Sequence, residues 1–238
     1  MFEWVFSLDA WMTLLTLSAL EIVLGIDNII FLAIVVGKLP PKHRNKGRIL
    51  GLFFAMLTRV LLLFSLFWVM KLVTPLFSIL GQEISGRDLV LFFGGLFLVF
   101  KPIKELIEHI KGEEEEQSHL KASDKLWFVV AEIAILDIVF SLDSVITAVG
   151  MAQNIEIMIL AVVIAVLVML FASKPIADFV EKYPSIKILA LAFLVMIGCV
   201  LMLESIDIHI QKAYIYTAMF FSLVVEVLNI LALKNQKS

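Results

Sequence analysis

The chain has 238 residues, 61% of them hydrophobic and 17% charged, with a formal net charge of −3 and a mean hydropathy of +1.02. Soluble domains sit near half apolar and a quarter charged, so this composition excludes the ordinary globular class and points to a membrane protein. The small net charge and the lack of a basic tract interleaved with aromatics exclude nucleic acid as a partner, and the single cysteine, Cys199, excludes an internal disulfide or a cysteine zinc cluster.

The N-terminus, Met1–Asp9, carries Glu3 and Asp9 and no basic residue. That is the wrong start for a cleavable signal peptide, so the first span is expected to stay in the protein. Ala10–Val36 is the first span, about 40 Å long at 1.5 Å per residue, which allows a tilt or a break. Gly25 is the natural point for the break. A loop, Gly37–Arg48, holds Pro40, Pro41 and five basic residues. Ile49–Val73 is the second span and contains Arg59. Thr74–Arg87, with Pro75, Gly81 and Gly86, reads as a loop. The third span opens at Asp88–Phe100 and runs on toward Ile110. Its Gly94-Gly95 pair suits close helix packing and not phosphate binding. His109–Lys125 is a hydrophilic linker with Glu113–Glu116 in a row, which reads as a solvated segment or, with His109 and His119, as a collector of cations from the cytoplasm. Leu126–Gly150, Ile155–Ala172, Ile186–Leu203 and Tyr214–Leu233 complete seven spans.

Lys and Arg are distributed unevenly about these spans. The segments 38–48, 101–125, 174–187 and 234–238 hold fifteen, the opposite side holds three (Lys71, Arg87 and Lys212), and Arg59 lies within a span. The positive-inside rule then places the N-terminus outside and the C-terminus in the cytoplasm.

One stretch recurs. Leu20–Phe31 places Glu21, Asp27 and Asn28 inside the first apolar run, and Leu136–Thr147 repeats it 116 residues later with Asp137, Asp143 and Ser144 at the matching positions. The first copy runs outward to inward and the second inward to outward. The fold class expected is therefore an all-α polytopic membrane protein of seven transmembrane helices. Within this single membrane domain, two inverted three-helix repeats span about 10–110 and 126–206, joined by a linker at 111–125 and followed by an extra helix at 213–233. Inverted repeats with polar residues at depth and helices broken at small residues are the transporter pattern.

Each buried charge costs at least ~2.5–3.5 kcal/mol, and such residues usually line a pathway or find a partner. Glu21 and Asn28 share a helical face, whereas Asp27 is displaced by about 120° from Glu21 on a straight helix. An unwound turn near Gly25, or near Ser141 in the second copy, would bring both acids to one ion and free backbone carbonyls. The candidate metal site is Glu21, Asp27, Asn28, Asp137, Asp143 and Ser144. Hard oxygen ligands of this kind select Mg²⁺, Ca²⁺ or Mn²⁺ over Zn²⁺ or Cu⁺. The structural alternative is that Arg59 neutralises one carboxylate and the others are protonated and hydrogen-bonded between helices; one arginine cannot pair four acids. Glu132 is an inner entry ligand or an interfacial residue, and Glu226 an extra wall or a solvated acid. Lys101 and Lys174 snorkel from span ends, and the outer turn Glu204–His209 is an exit ligand set or a plain polar turn. No GxSxG, HExxH, P-loop or GxGxxG motif is present, so no enzyme is expected.

The repeats Glu21–Asn28 and Asp137–Gly150 resemble the signature of the TerC family of bacterial integral membrane proteins. The similarity takes in Gln82–Leu89, Gly94–Leu98 and Leu203–His209 and extends over essentially the whole chain, in the manner of the short members without an appended soluble domain. The family takes its name from tellurium-resistance loci and is grouped with the LysE-type exporters built of three-helix repeats. The resemblance implies Mn²⁺ efflux across the bacterial cytoplasmic membrane, with Glu21, Asp27, Asn28, Asp137 and Asp143 at the acidic motif positions and no tightly bound cofactor. Proton coupling would fit, because released metal can be exchanged for protons on the carboxylates. Partners implied are the lipid bilayer, the divalent ion, a second copy of the chain, and exported metalloenzymes or the translocation machinery that the metal supplies. Alternatives are export of Ca²⁺ or another cation, and a tellurite-type scaffold or stress-response role without transport.

Overall fold

The computed structural model describes residues 7–65, 72–79, 82–111, 122–151 and 155–235. Among them are eight helices: α1 (Leu8–Leu24), α2 (Ile26–Gly37), α3 (Pro41–Phe64), α4 (Gly86–Lys111), α5 (Ala122–Met151), α6 (Ile155–Lys182), α7 (Pro184–Glu204) and α8 (Lys212–Asn235). A two-stranded hairpin, β1 (Pro75–Ile79) and β2 (Gln82–Ser85), sits between α3 and α4. The class is all-α, as expected.

The break at Gly25 is present: α1 ends at Leu24, α2 begins at Ile26, and the two axes bend by 41°. Its counterpart is absent. α5 runs unbroken past Ser141, whose hydroxyl turns back onto the Asp137 carbonyl one turn earlier. That back-bond is compatible with a continuous helix, so the serine does not act as a hinge. Two loops are also smaller than expected. Pro41 sits at the first helical turn, where its missing N–H costs nothing, and α3 takes in the basic residues from Lys42 on. Within the 74–87 segment β1 pairs with β2, and the end of β2 caps α4. Ser85 Oγ donates to Asp88 Oδ2 at 2.7 Å and accepts from the Asp88 N–H at 3.3 Å, a reciprocal cap that fixes where the helix starts.

Packing gathers the chain into two compact units, and both halves of the sequence contribute to each. The first holds α1, α2, α3, α5 and most of α6. Gly47, Gly51, Ala55 and Arg59 recur every four residues and so share one face of α3. A Cβ at Gly51 would stand 2.7 Å from Ile133 Cδ1, and one at Gly47 would stand 3.3 Å from Leu126 Cδ1. The small residues let α3 press against α5, in parallel, with Arg59 at the end of the seam beside Asp137. Phe54 meets Trp127 edge-on at 6.2 Å on the same seam.

The second unit holds the hairpin, α4, α7 and α8. Here α4 and α7 run antiparallel and cross at two glycines. A Cβ at Gly95 would meet Gly198 O at 2.6 Å and Met202 Cγ at 2.9 Å; one at Gly198 would meet Gly95 O at 2.7 Å and Val99 Cγ2 at 2.9 Å. Lys187 Nζ lies 3.4 Å from Glu105 Oε1 farther along the pair.

By length and apolarity α3, α6, α7 and α8 can each cross a membrane, and the bent α1–α2 pair makes a fifth candidate. At 26 and 30 residues α4 and α5 are as long, but they carry charges such as Lys101, Glu105, Glu132 and Asp137. Large apolar side chains are exposed on both, among them Phe93 and Phe100 on α4 and Phe128 and Ile135 on α5.

Candidate functional site

Four helices of the first unit each bring a polar group to one place in an otherwise apolar interior: Glu21 from α1, Asn28 from α2, Arg59 from α3 and Asp137 from α5. The side chains that anchor the cluster are almost wholly out of solvent, with Glu21 5%, Arg59 3% and Asp137 4% exposed. The arginine is the hub. Its Nη1 lies 2.5 Å from Glu21 Oε2, its Nη2 2.7 Å from Asp137 Oδ1, and its Nε 3.0 Å and 3.1 Å from the two Asp137 oxygens. The fork-on-carboxylate geometry toward Asp137 is the strong, directional form of such a pair. Asn28 Nδ2 donates to Asp137 Oδ1 at 2.9 Å, and Ser141 Oγ lies 3.2 Å from Oδ2.

Beside the cluster is a cavity of about 20 Å³, room for the centre of one water-sized particle. Asn28, Arg59 and Asp137 give it one polar wall, and Phe31, Phe140 and Met169 are among its apolar lining. Asn28 Oδ1 is buried and without a hydrogen-bond partner among the described residues. The break between α1 and α2 also abuts this region, because a Cβ at Gly25 would collide with Met169 Cε.

Of the six residues singled out from sequence, Glu21, Asn28 and Asp137 come together. Ser144 is buried and donates to the Ser141 carbonyl at 3.2 Å, within its own helix. The side chains of Asp27 and Asp143 lie outside the described residues, as does the Glu113–Glu116 run. Among the described residues no group of three acids, imidazoles or thiols gathers at metal-binding spacing. Glu132 is buried on α5, while Glu226 is half-buried on α8 in the second unit. The structural alternative has Arg59 neutralise one carboxylate; it bridges two, Glu21 and Asp137. The four-residue stripe Gly47, Gly51, Ala55, Arg59 was the available signal: it says that Arg59 lies on the face α3 uses for its tightest packing. The carboxylates of Glu21 and Asp137 are thus both engaged by one guanidinium.

The pattern of the family described as "Integral membrane protein TerC family" matches residues 6–238. The chain is 61% identical over 97% of its length, and 97% of the relative's, to a Haemophilus influenzae protein named "UPF0053 protein". It is 55% identical to the Escherichia coli K12 "UPF0053 inner membrane protein YgdQ", covering 100% of this chain and 99% of that one. The E. coli K12 "UPF0053 inner membrane protein YoaE" is 48% identical over 98% of this chain, which corresponds to 45% of its own length. No solved structure matches the chain.

Proposed function

Given that the chain belongs to the integral membrane protein TerC family, we propose that it is a bacterial inner-membrane exporter of a divalent cation, with Mn²⁺ the preferred cargo. The observation that carries this reading is the buried Glu21–Asn28–Arg59–Asp137 cluster beside a small cavity, in helices otherwise built for lipid. Ionisable groups at such depth are retained for a pathway far more often than for stability. Carboxylate and amide oxygens suit Mn²⁺, Mg²⁺ and Ca²⁺, and neither thiolate nor imidazole is among the cavity lining. Asp27 and Asp143 are assigned to the same pathway through their matching positions in the repeat, with Ser144 beside the second.

The architecture proposed is seven spans in two inverted repeats with an added C-terminal helix, the N-terminus outside and the C-terminus in the cytoplasm. Two observations support it. The parallel run of α3 and α5 requires the chain to recross the membrane between them, and α4, about 39 Å long, can do so. The reciprocal contacts of Gly95 with Met202 and of Gly198 with Val99 have the form of a local two-fold relating the third and sixth spans. Relatives named as inner membrane proteins support the location.

A second reading keeps the fold and drops the transport: a membrane scaffold or stress-response partner in which Arg59 clamps α1, α3 and α5 together. The engagement of all three guanidinium nitrogens by carboxylates favours it. Flux into proteoliposomes separates the two. Transport predicts Mn²⁺ movement with the parent chain and its loss in an Asp27→Asn, Asp143→Asn double variant. Equal flux in both would remove those acids from the site. Absence of flux for Mn²⁺ and Ca²⁺ alike, with a stable protein complex co-purifying, would favour the scaffold.

A further inference from the structure

Arg59 is the cationic residue among those lining the cavity, and a cation pathway by itself gives it no task. Its position is nevertheless specific. The small-residue seam of α3 delivers it to the two carboxylates, Nη1 reaches Glu21 at 2.5 Å, and Nη2 reaches Asp137 at 2.7 Å. Asn28 donates to the same Asp137 oxygen and keeps an unpartnered acceptor oxygen beside it.

Charge counting limits what can happen here. Two carboxylates and one guanidinium carry a net −1. A divalent cation joining these three groups would bring their own sum to +1. If it replaced the guanidinium instead, it would leave the two carboxylates neutralised. Deprotonation offers no escape, because a guanidinium stays charged in proteins. The guanidinium sits on the oxygens of Glu21 and Asp137 themselves, so a cation that takes those oxygens displaces it.

We propose that Arg59 is a tethered counter-cation: its guanidinium and the transported dication occupy Glu21 and Asp137 in turn, and its return displaces the metal at the release step. This rests on the transport reading above and specifies how that site empties. It also explains how an empty carrier avoids presenting two bare carboxylates to a low-dielectric interior. In the geometry described, the arginine occupies the carboxylates that the cargo would take.

The test compares the full-length parent with Arg59→Met and Arg59→Lys, measuring Mn²⁺ affinity by calorimetry in detergent and Mn²⁺ efflux from proteoliposomes. Arg59→Met removes the competitor, so Mn²⁺ should bind roughly tenfold tighter or more, the ordinary size of a coupling between mutually exclusive ligands. Turnover should fall by a similar factor, since tighter binding of the loaded state without help to the exchange step slows release. Arg59→Lys keeps the charge but cannot fork across two carboxylates, and both quantities should fall between parent and Met variant. Unchanged or weaker Mn²⁺ binding by Arg59→Met, with a parent that binds and transports, overturns this inference alone. A Lys variant indistinguishable from Met also overturns it, because the retained charge should matter. A parent that neither binds nor moves Mn²⁺ overturns the transport reading and this inference together. If Arg59→Met does not fold, the Lys variant decides: a few-fold gain in affinity over the parent supports the exchange, and no gain overturns it.

Discussion

At the scale of residues, the two acids on Arg59 are not equivalent. Asp137 takes contacts from Nε and Nη2, a further donor from Asn28 and the nearby hydroxyl of Ser141, whereas Glu21 has the contact from Nη1. Removing one partner of a buried ion pair leaves the other uncompensated and costs about 3–5 kcal/mol. Asp137→Leu should therefore lower the thermal unfolding midpoint in detergent markedly, and Glu21→Gln should lower it much less, because the amide can still accept from Nη1 and Asp137 still balances the charge. Equal midpoints for the two variants would show that the fork on Asp137 carries no special weight. The acids themselves were legible in the sequence, since each carries a solvation cost that an apolar span does not otherwise explain. Their sharing of one arginine was not. Helical phase says which residues share a face of one helix, but not which neighbouring helix that face meets.

At the scale of elements, close approach is made by small residues, and what lies opposite each decides its tolerance. The atom facing Gly51 is Ile133 Cδ1, the end of a flexible side chain, while the atom facing Gly95 is the backbone oxygen of Gly198. Gly51→Ala should then be nearly neutral. Gly95→Ala should separate α4 from α7 and cost about 1–3 kcal/mol, the usual penalty of overpacking, read as a lower unfolding midpoint; the reverse order would contradict the crossing described. The helix break at Gly25 could be foreseen because glycine follows a carboxylate-bearing turn in an over-long span. The matching position, Ser141, looked equivalent by alignment of the repeats and behaves differently, because a hydroxyl can bond to its own helix and a hydrogen cannot. The hairpin over 75–85 was hidden by its punctuation: Pro75, Gly81 and Gly86 read as loop, and the four- and five-residue runs between them are too short to show an alternation.

At the scale of the whole molecule, charge asymmetry and internal geometry point the same way. Fifteen of nineteen Lys and Arg fall on one side of the proposed seven-span arrangement, and the parallel run of α3 with α5 and the antiparallel run of α4 with α7 are both what that proposal expects. A cysteine placed at Asn45 should be inaccessible to a membrane-impermeant thiol reagent applied outside, and one at Ile208 should react, both in a Cys199→Ala background; the opposite pattern would invert the topology. The all-α membrane class was legible because lipid acts on every residue of a span. The grouping of helices into two units was not, because it depends on contacts between segments a hundred residues apart that share no local signal. The most direct test of the central claim is the anomalous scattering of Mn²⁺ in crystals of the protein soaked with the metal. The account predicts a peak between Glu21 and Asp137, beside Asn28, with the Arg59 guanidinium withdrawn from both carboxylates. Crystals in which Mn²⁺ gives no peak there while Arg59 still bridges Glu21 and Asp137 would contradict it.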